Sequence, residues 1–278
     1  MLNDPNILKL IDLAINEDLK NGDITTNSII TTDEKKTAAF IAKQEGIIAG
    51  LDIAKMVFEK FDKEIKWTNL KYDRDTCLKY EKIVLVEGNY KALLGAERTA
   101  LNFLQRLSGI ATKTNRFVKQ IEGFKTKILD TRKTIPGHRI LDKYAVKMGG
   151  GKNHRMGLFD MVMIKDNHIK LAGSITSAVM TVKKNLPDSM KIEVEASTLD
   201  DVKEALNFNI DFIMLDNMSI DDMRKAVALC NGKILTEASG NVTINNIRHI
   251  AETGVDFISV GELTHSVEAL DISMKIIN

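Results

Sequence analysis

The chain has 278 residues, 44% of them hydrophobic, which is enough for one large domain or two smaller ones with their own cores and excludes disorder as the default. Lysine and arginine total 39 against 38 for aspartate and glutamate, so a formal net charge of +1 supplies no bulk field to draw nucleic acid or an anionic membrane. Any anion site has to be local.

Asp4 and Pro5 read as a helix start, and apolar residues at Ile7, Leu8, Ile11, Leu13, Ala14 and Ile15 recur at helical spacing until Asn21 and Gly22 stop it. AAFIAKQEGIIAG and Ile83 to Val86 read as antiparallel strands, with a helix near Ile53 to Phe61 between them. Leu93 to Arg116 carries a helical pattern long enough to link two domains, with Arg98 and Arg106 as its noteworthy cations. Cys77 and Cys230 are far apart without metal-ligand spacing, as in a reduced intracellular protein. No apolar run approaches the roughly 18 residues that span a bilayer. These features predict a soluble, unprocessed, cytoplasmic protein with no nucleic-acid or membrane partner.

Beyond that helix, short apolar runs alternate with helical stretches, and each run closes on polar or glycine residues. The runs are Lys127 to Leu129 before DTRKT, Met161 to Ile164 before KDNH, Ile192 to Val194 before Glu195, Phe212 to Leu215 before DN, Ile234 to Leu235 before TEASG, and Phe257 to Val260 before GELTH. Leu199 to Phe208 and Ser219 to Leu229 read as amphipathic helices between them. Repeated βα units with polar strand ends predict a (β/α) barrel, complete or partial, with an open doubly wound sheet as the alternative. A full barrel takes about 250 residues and roughly 150 follow the long helix, so fewer than eight strands are expected. The expected class is α/β, with an N-terminal α+β open sandwich and a partial barrel. The expected divisions are 1–110, 111–266, and a C-terminal helix over 267–278 that packs back on the first domain.

Four strand-end groups carry chemistry. In DTRKT, Arg132 and Lys133 offer a planar fork and a point charge, suited to carboxylate and phosphate respectively. In GGGKNHR, three glycines precede Lys152, Asn153, His154 and Arg155, and Lys165 and His168 close the next strand. Glu195, with Glu193 two residues earlier on the same face, and Asp216 are carboxylates at strand ends. Such groups bind Mg²⁺ directly or through water, hold ribose hydroxyls, face a developing positive charge, or form a barrel-mouth salt bridge with Lys165. EASGN and SVGELTHS are small-residue loops of the kind that bind phosphate through backbone amides. So many cations call for a substrate with several negative groups.

ERTALNFL, DTRKT followed by PG, KYAVKMGGGKNHRMGL, IKDNHI, IEVEAS, IMLDNM, EASGN and SVGELTHS together resemble the quinolinate phosphoribosyltransferase family, from EDLKNGDITT through ALDIS. The resemblance implies transfer of phosphoribosyl from phosphoribosyl pyrophosphate to quinolinate with decarboxylation, giving nicotinate mononucleotide, pyrophosphate and carbon dioxide for NAD synthesis. It implies Mg²⁺ as cofactor and a homodimer or an assembly of dimers. By motif it assigns Arg132, His154, Arg155 and Lys165 to quinolinate, with Arg98 reaching across from the neighbouring subunit and Thr131 also in the substrate site. It places Lys133, Glu195, Asp216, Ser239, Gly240, Gly261 and His265 on the sugar-phosphate side, with Lys133, Lys165, Glu195 and Asp216 as catalytic residues and Glu195 and Asp216 near the metal. Lys147, Met148, His138 and Glu262 depart from the family's pattern. Competing readings are a nicotinate-using relative or a paralogue linked to molybdenum transport, a Schiff-base aldolase acting through Lys165, and a binding protein on the same fold.

Overall fold

In a computed structural model that describes residues 4–32, 34–187 and 189–277, the Asp4 side chain accepts from the Asn6 amide and Pro5 presets φ at the next position, starting α1 at Pro5–Leu19. There follow α2 (Ile24–Ile29), β1 (Lys35–Ala42), β2 (Gly46–Ile47), α3 (Leu51–Phe61), β3 (Lys66–Asn69), β4 (Thr76–Cys77), β5 (Lys82–Asn89) and α4 (Tyr90–Gln120). Next come β6 (Lys127–Leu129), α5 (Arg139–Met148), β7 (Val162–Ile164), α6 (Asp166–Ala172), α7 (Ile175–Asn185), β8 (Ile192–Ala196), α8 (Leu199–Ala205) and β9 (Phe212–Asp216). The chain closes with α9 (Ile220–Cys230), β10 (Leu235–Ser239), α10 (Ile247–Ala251), β11 (Phe257–Ser259), α11 (Glu262–His265) and β12 (Ile272–Ile276).

Two units emerge. The first takes the residues up to Asn115, Thr134–Gly150, and those from Leu263 onward; the second takes Arg116–Lys133 and Gly151–Glu262. Thr134–Gly150, expected in the barrel domain, therefore belongs with the first unit.

The first unit is built on the antiparallel sheet β12-β1-β5-β3. Phe40 of β1, Phe58 of α3 and Trp67 of β3 meet with ring centroids 5.7 to 5.8 Å apart, in the tilted and edge-on geometries that aromatic pairs prefer. The C-terminal helix expected over 267–278 is instead β12, paired antiparallel to β1 with Phe40 opposite Met274. Ile272 and Met274 are buried and Ser273 less so, a period of two that a helix could not satisfy. The expectation that this segment packs on the first sheet holds; its secondary structure does not.

Arg106, one of the two noteworthy cations of the long helix, serves this unit's interior. Its Nε and Nη2 donate to the two oxygens of Asp142 at 3.1 and 2.8 Å, and Asp142 is fully buried. Removing one member of such a pair leaves an uncompensated buried charge. Asp142→Ala is therefore expected to lower stability by about 3 to 5 kcal/mol, read as a fall in the urea midpoint at unchanged m-value.

The second unit holds six parallel strands in the order β6-β11-β10-β9-β8-β7. Consecutive strands are neighbours from β7 to β11, and β6 then pairs with β11, as in a barrel interrupted between β6 and β7. An isolated bridge from Leu129 to Lys152 partly occupies that interruption. Apolar residues at Ile128, Val194, Ile213, Leu215 and Ile258 are buried, as expected for strands covered on both faces.

Candidate active site

Asp130, the first residue after β6, is fully buried and acts as an anchor. Its Oδ1 accepts from the His154 amide at 2.9 Å and its Oδ2 from the Asn153 side chain at 2.5 Å, tying the loop after Gly151 to the end of β6. Thr131 Oγ1 accepts the Lys133 amide at 3.1 Å, turning the chain after Arg132. The glycines before this loop have packing roles. A Cβ on Gly149 would collide with the carbonyl oxygen of Ala111 on α4, and Gly150 has φ +93°, just past the end of α5.

Arg155 follows and is 8% exposed. Its Nη1 donates to the Met161 carbonyl at 2.9 Å, and its Nε is buried without a hydrogen bond among the described residues. Burial holds the guanidinium below its usual pKa, and the positive charge of nearby Arg132 adds to the effect, against the pull of Glu193 and Asp160. Two guanidinium groups whose charges bear on one another are suited to an anion.

His154 turns inward. Its Nε2 lies 3.1 Å from Glu193 Oε2 and 3.4 Å from Glu237 Oε2, and both carboxylates are buried. Its Nδ1 accepts the Arg155 amide at 2.7 Å. Glu193 comes from β8 and Glu237 from β10, where the strand's period of two aims both at the interior. Burial pushes the His154 pKa down, but the two glutamates push harder and raise it to about 9. Burial, reinforced by the charge of Glu237 against the opposing pull of His154, raises Glu193 to about 7. The Arg155 amide on one side of the ring calls for a lone pair at Nδ1, while the two carboxylates on the other favour the protonated ring.

Lys165 is the N-cap just before α6, and the His168 ring accepts its amide at 3.0 Å, so His168 caps a helix. Lys165 Nζ is 3.6 Å from Glu195 Oε2. Burial raises the Glu195 pKa, Lys165 pulls it down, and the neighbouring charge of Asp216 pushes it back up. Glu195 and Asp216 close the adjacent strands β8 and β9, and Glu195 Oε2 is buried without a hydrogen bond among the described residues. Two repelling carboxylates with an unsatisfied oxygen suit a hard divalent cation such as Mg²⁺, which takes oxygen ligands and keeps water. A second group, His154, Glu193 and Glu237, brings one ligand atom from each residue within 4.8 Å of the others, but its imidazole suits a softer ion.

Ser239 ends β10, and Gly240 follows with φ +92°, where a Cβ would meet the Asn217 side chain. Gly261 precedes α11 in the second unit. Arg98, exposed on α4, and His265, at the end of α11, belong to the first unit. Of the departures from the family pattern, Lys147 is exposed, and His138 is a neutral packing residue whose ring stacks on Phe103 at 6.1 Å and whose pKa burial lowers.

The structure thus brings Arg132 to Arg155, and Lys165 to Glu195 and Asp216. A cavity of about 480 Å³ is lined by His154, Arg155, Glu193, Glu237, Phe212 and Phe257 among others; Arg132, Lys165, Glu195 and Asp216 do not line it. Sequence reasoning missed Asp130 as the loop anchor and Glu237 as an interior carboxylate. The signal for Glu237 was its parity with Ser239, hidden because the run was read as ending at Leu235.

A family model described as the quinolinate phosphoribosyl transferase C-terminal domain matches residues 110–275, and that of the N-terminal domain matches 23–108. The chain is 46% identical over 286 residues to a chloroplastic nicotinate-nucleotide pyrophosphorylase [carboxylating] of Arabidopsis thaliana, covering 96% of this chain and 82% of the relative. It is 45% identical over 264 residues to a probable nicotinate-nucleotide pyrophosphorylase [carboxylating] of Synechocystis, covering 94% and 89%. The solved nicotinate-nucleotide pyrophosphorylase from Francisella tularensis superposes with a TM-score of 0.94 at 45% identity, over 98% of this chain and 97% of that one.

Proposed function

Because the chain belongs to the quinolinate phosphoribosyltransferase family, we propose that it joins quinolinate to phosphoribosyl pyrophosphate and decarboxylates the adduct, yielding nicotinate mononucleotide, pyrophosphate and carbon dioxide in de novo NAD synthesis. The observation that carries this reading is buried Arg155, with the charge of Arg132 bearing on it, where the sheet is interrupted between β6 and β7. Quinolinate carries two adjacent carboxylates, and forked guanidinium groups are matched to them bidentately. Lys165 adds a point charge.

The ring nitrogen attacks the anomeric carbon as the bond to pyrophosphate breaks. Positive charge grows on the ribose, where Glu195 and Asp216 stabilise it, while Lys133 takes up charge on the leaving group. Glu195 and Asp216 would hold Mg²⁺, directly or through water. When bound, it supplies charge compensation for pyrophosphate. Thr131, Ser239, Gly240 and Gly261 complete the substrate walls through hydroxyls and backbone amides. The quaternised ring nitrogen is then an electron sink. The bond to the neighbouring carboxylate breaks, its electron pair stays on the ring carbon, and that carbon takes a proton from solvent, so no dedicated base is needed.

The enzyme works as a homodimer or an assembly of dimers in the cytoplasm, with exposed Arg98 of one subunit completing the quinolinate site of the other. The free, buried thiols of Cys77 and Cys230 support a reducing compartment. Release of carbon dioxide and pyrophosphate is expected with quinolinate, to cease on chelation of Mg²⁺, and to be negligible with nicotinate. Turnover of nicotinate alone would refute the dicarboxylate assignment. Arg98→Ala is expected to be inactive and to regain activity when mixed with Arg155→Ala, because a mixed dimer restores one intact site.

A further inference from the structure

We infer that Asn217 is a positioning residue whose side-chain amide holds the Asp216 carboxylate in one orientation and ties it to the loop after β10. Consecutive side chains of a strand point to opposite faces, so the residue directly after β9 would ordinarily turn away from Asp216. Asn217 has φ +54°, a left-handed conformation that asparagine visits more readily than most residues, and its side chain comes back beside that of Asp216. Its Nδ2 donates to Asp216 Oδ2 at 2.9 Å. An ionised carboxylate only accepts, so this contact fixes which end of the amide is nitrogen. The other end, Oδ1, accepts from Asn241 Nδ2 at 3.0 Å. Asn241 is held in turn through its main-chain carbonyl, which accepts from Asn246 Nδ2 at 3.0 Å. The backbone runs the same way, with the Asn217 amide donating to the Ser239 carbonyl at 2.9 Å. Gly240 leaves the room this requires, because a Cβ there would collide with the Asn217 side chain.

An aspartate at a strand end samples several rotamers unless something holds it, and each wrong one lowers the fraction ready to receive a cation. Hydrogen bonds from outside the ligand set fix such groups at other metal sites, and losing them weakens the site. With one oxygen of Asp216 held, the other is left to face Mg²⁺ or the ribose. A neutral amide suits this task better than a lysine would, because it donates a hydrogen bond without cancelling the charge that attracts the cation. The same amide joins the ends of β9 and β10, so that Asp216 and the Ser239–Gly240 loop keep a fixed spacing. The inference rests on the proposed transfer reaction for what Asp216 holds, but metal binding tests it without turnover.

The test follows Mn²⁺ binding by electron paramagnetic resonance, with phosphoribosyl pyrophosphate present and quinolinate absent, alongside steady-state kinetics. Asn217→Gly keeps the left-handed backbone accessible and removes both side-chain hydrogen bonds. It is expected to weaken Mn²⁺ binding and to lower kcat/KM for phosphoribosyl pyrophosphate by about three- to tenfold each, the worth of one hydrogen bond at a site that water can reach. KM for quinolinate should stay within about twofold of the unaltered protein. Asn217→Asp keeps an acceptor for Asn241 but cannot donate to Asp216, so its kcat should fall by a similar factor. Asn241→Gly should give a smaller loss of the same kind, and adding it to Asn217→Gly should cost nothing further, because both act through one link. Unchanged Mn²⁺ binding in Asn217→Gly, full activity in Asn217→Asp, or additive losses in the double variant would each overturn the positioning role. So would an equal rise in KM for quinolinate, the mark of a general loss of structure. Absence of quinolinate turnover by the unaltered protein, with Mn²⁺ binding still sensitive to Asn217, would refute the reaction and leave the positioning standing.

Discussion

Arg155→Ala is expected to lower kcat/KM for quinolinate by about 30- to 4,000-fold, since removing one partner of a buried, hydrogen-bonded charge pair costs about 2 to 5 kcal/mol and each 1.4 kcal/mol is tenfold. Arg155 is 8% exposed, its Nε has no hydrogen bond among the described residues, and the charge of Arg132 bears on it. In the free protein this is an unfavourable placement of positive charge, which a doubly acidic ring bound as proposed would relieve. The loss should appear in quinolinate binding and leave the affinity for phosphoribosyl pyrophosphate within about threefold. Arg155→Lys should recover only part of the loss, because an ammonium lacks the planar fork. Steady-state kinetics with each substrate varied in turn checks both statements. Full activity in either variant would remove Arg155 from substrate recognition.

Glu195→Gln is expected to lower kcat by about 10²- to 10³-fold, the usual penalty for losing one preorganised electrostatic partner of a transition state. Quinolinate affinity should stay near that of the unaltered protein. The isosteric amide keeps the size of the side chain and removes the charge that faces both Lys165 and Asp216. Glu195 closes β8 beside Asp216 at the end of β9, so the pair is held by the register of two adjacent strands and does not depend on a loop. The cleanest readout is single-turnover release of pyrophosphate, which separates the transfer step from product release. A variant that bound quinolinate poorly but transferred at the normal rate would place Glu195 on the wrong substrate.

The six parallel strands were legible because each is a short apolar run that ends in glycine or a charged side chain, and the residues at those ends are Arg132, Lys165, Glu195 and Asp216. The C-terminal strand was missed because its alternation of Ile272, Met274 and Ile276 extends over a few residues only, and β1, its pairing partner, lies more than two hundred positions earlier. The structural role of Arg106 was hidden for the complementary reason: its carboxylate, Asp142, is distant in sequence and looks like one more acid on an amphipathic helix.

By itself, the order of residues determined the alternation of strand and helix, the motifs that place this chain in its family, and the identity of the charged groups at the strand ends, because these depend on local periodicity and side-chain chemistry. Only the tertiary structure decided which of those groups meet. Glu193 and Glu237 converge on His154 from two strands separated by β9 in the sheet, and Asp130 holds the same residue from β6. Hydrogen bonds form between atoms within about 3 Å of each other whatever their distance along the chain, so the partners of a buried polar side chain are set by strand order and register, which no stretch of sequence contains.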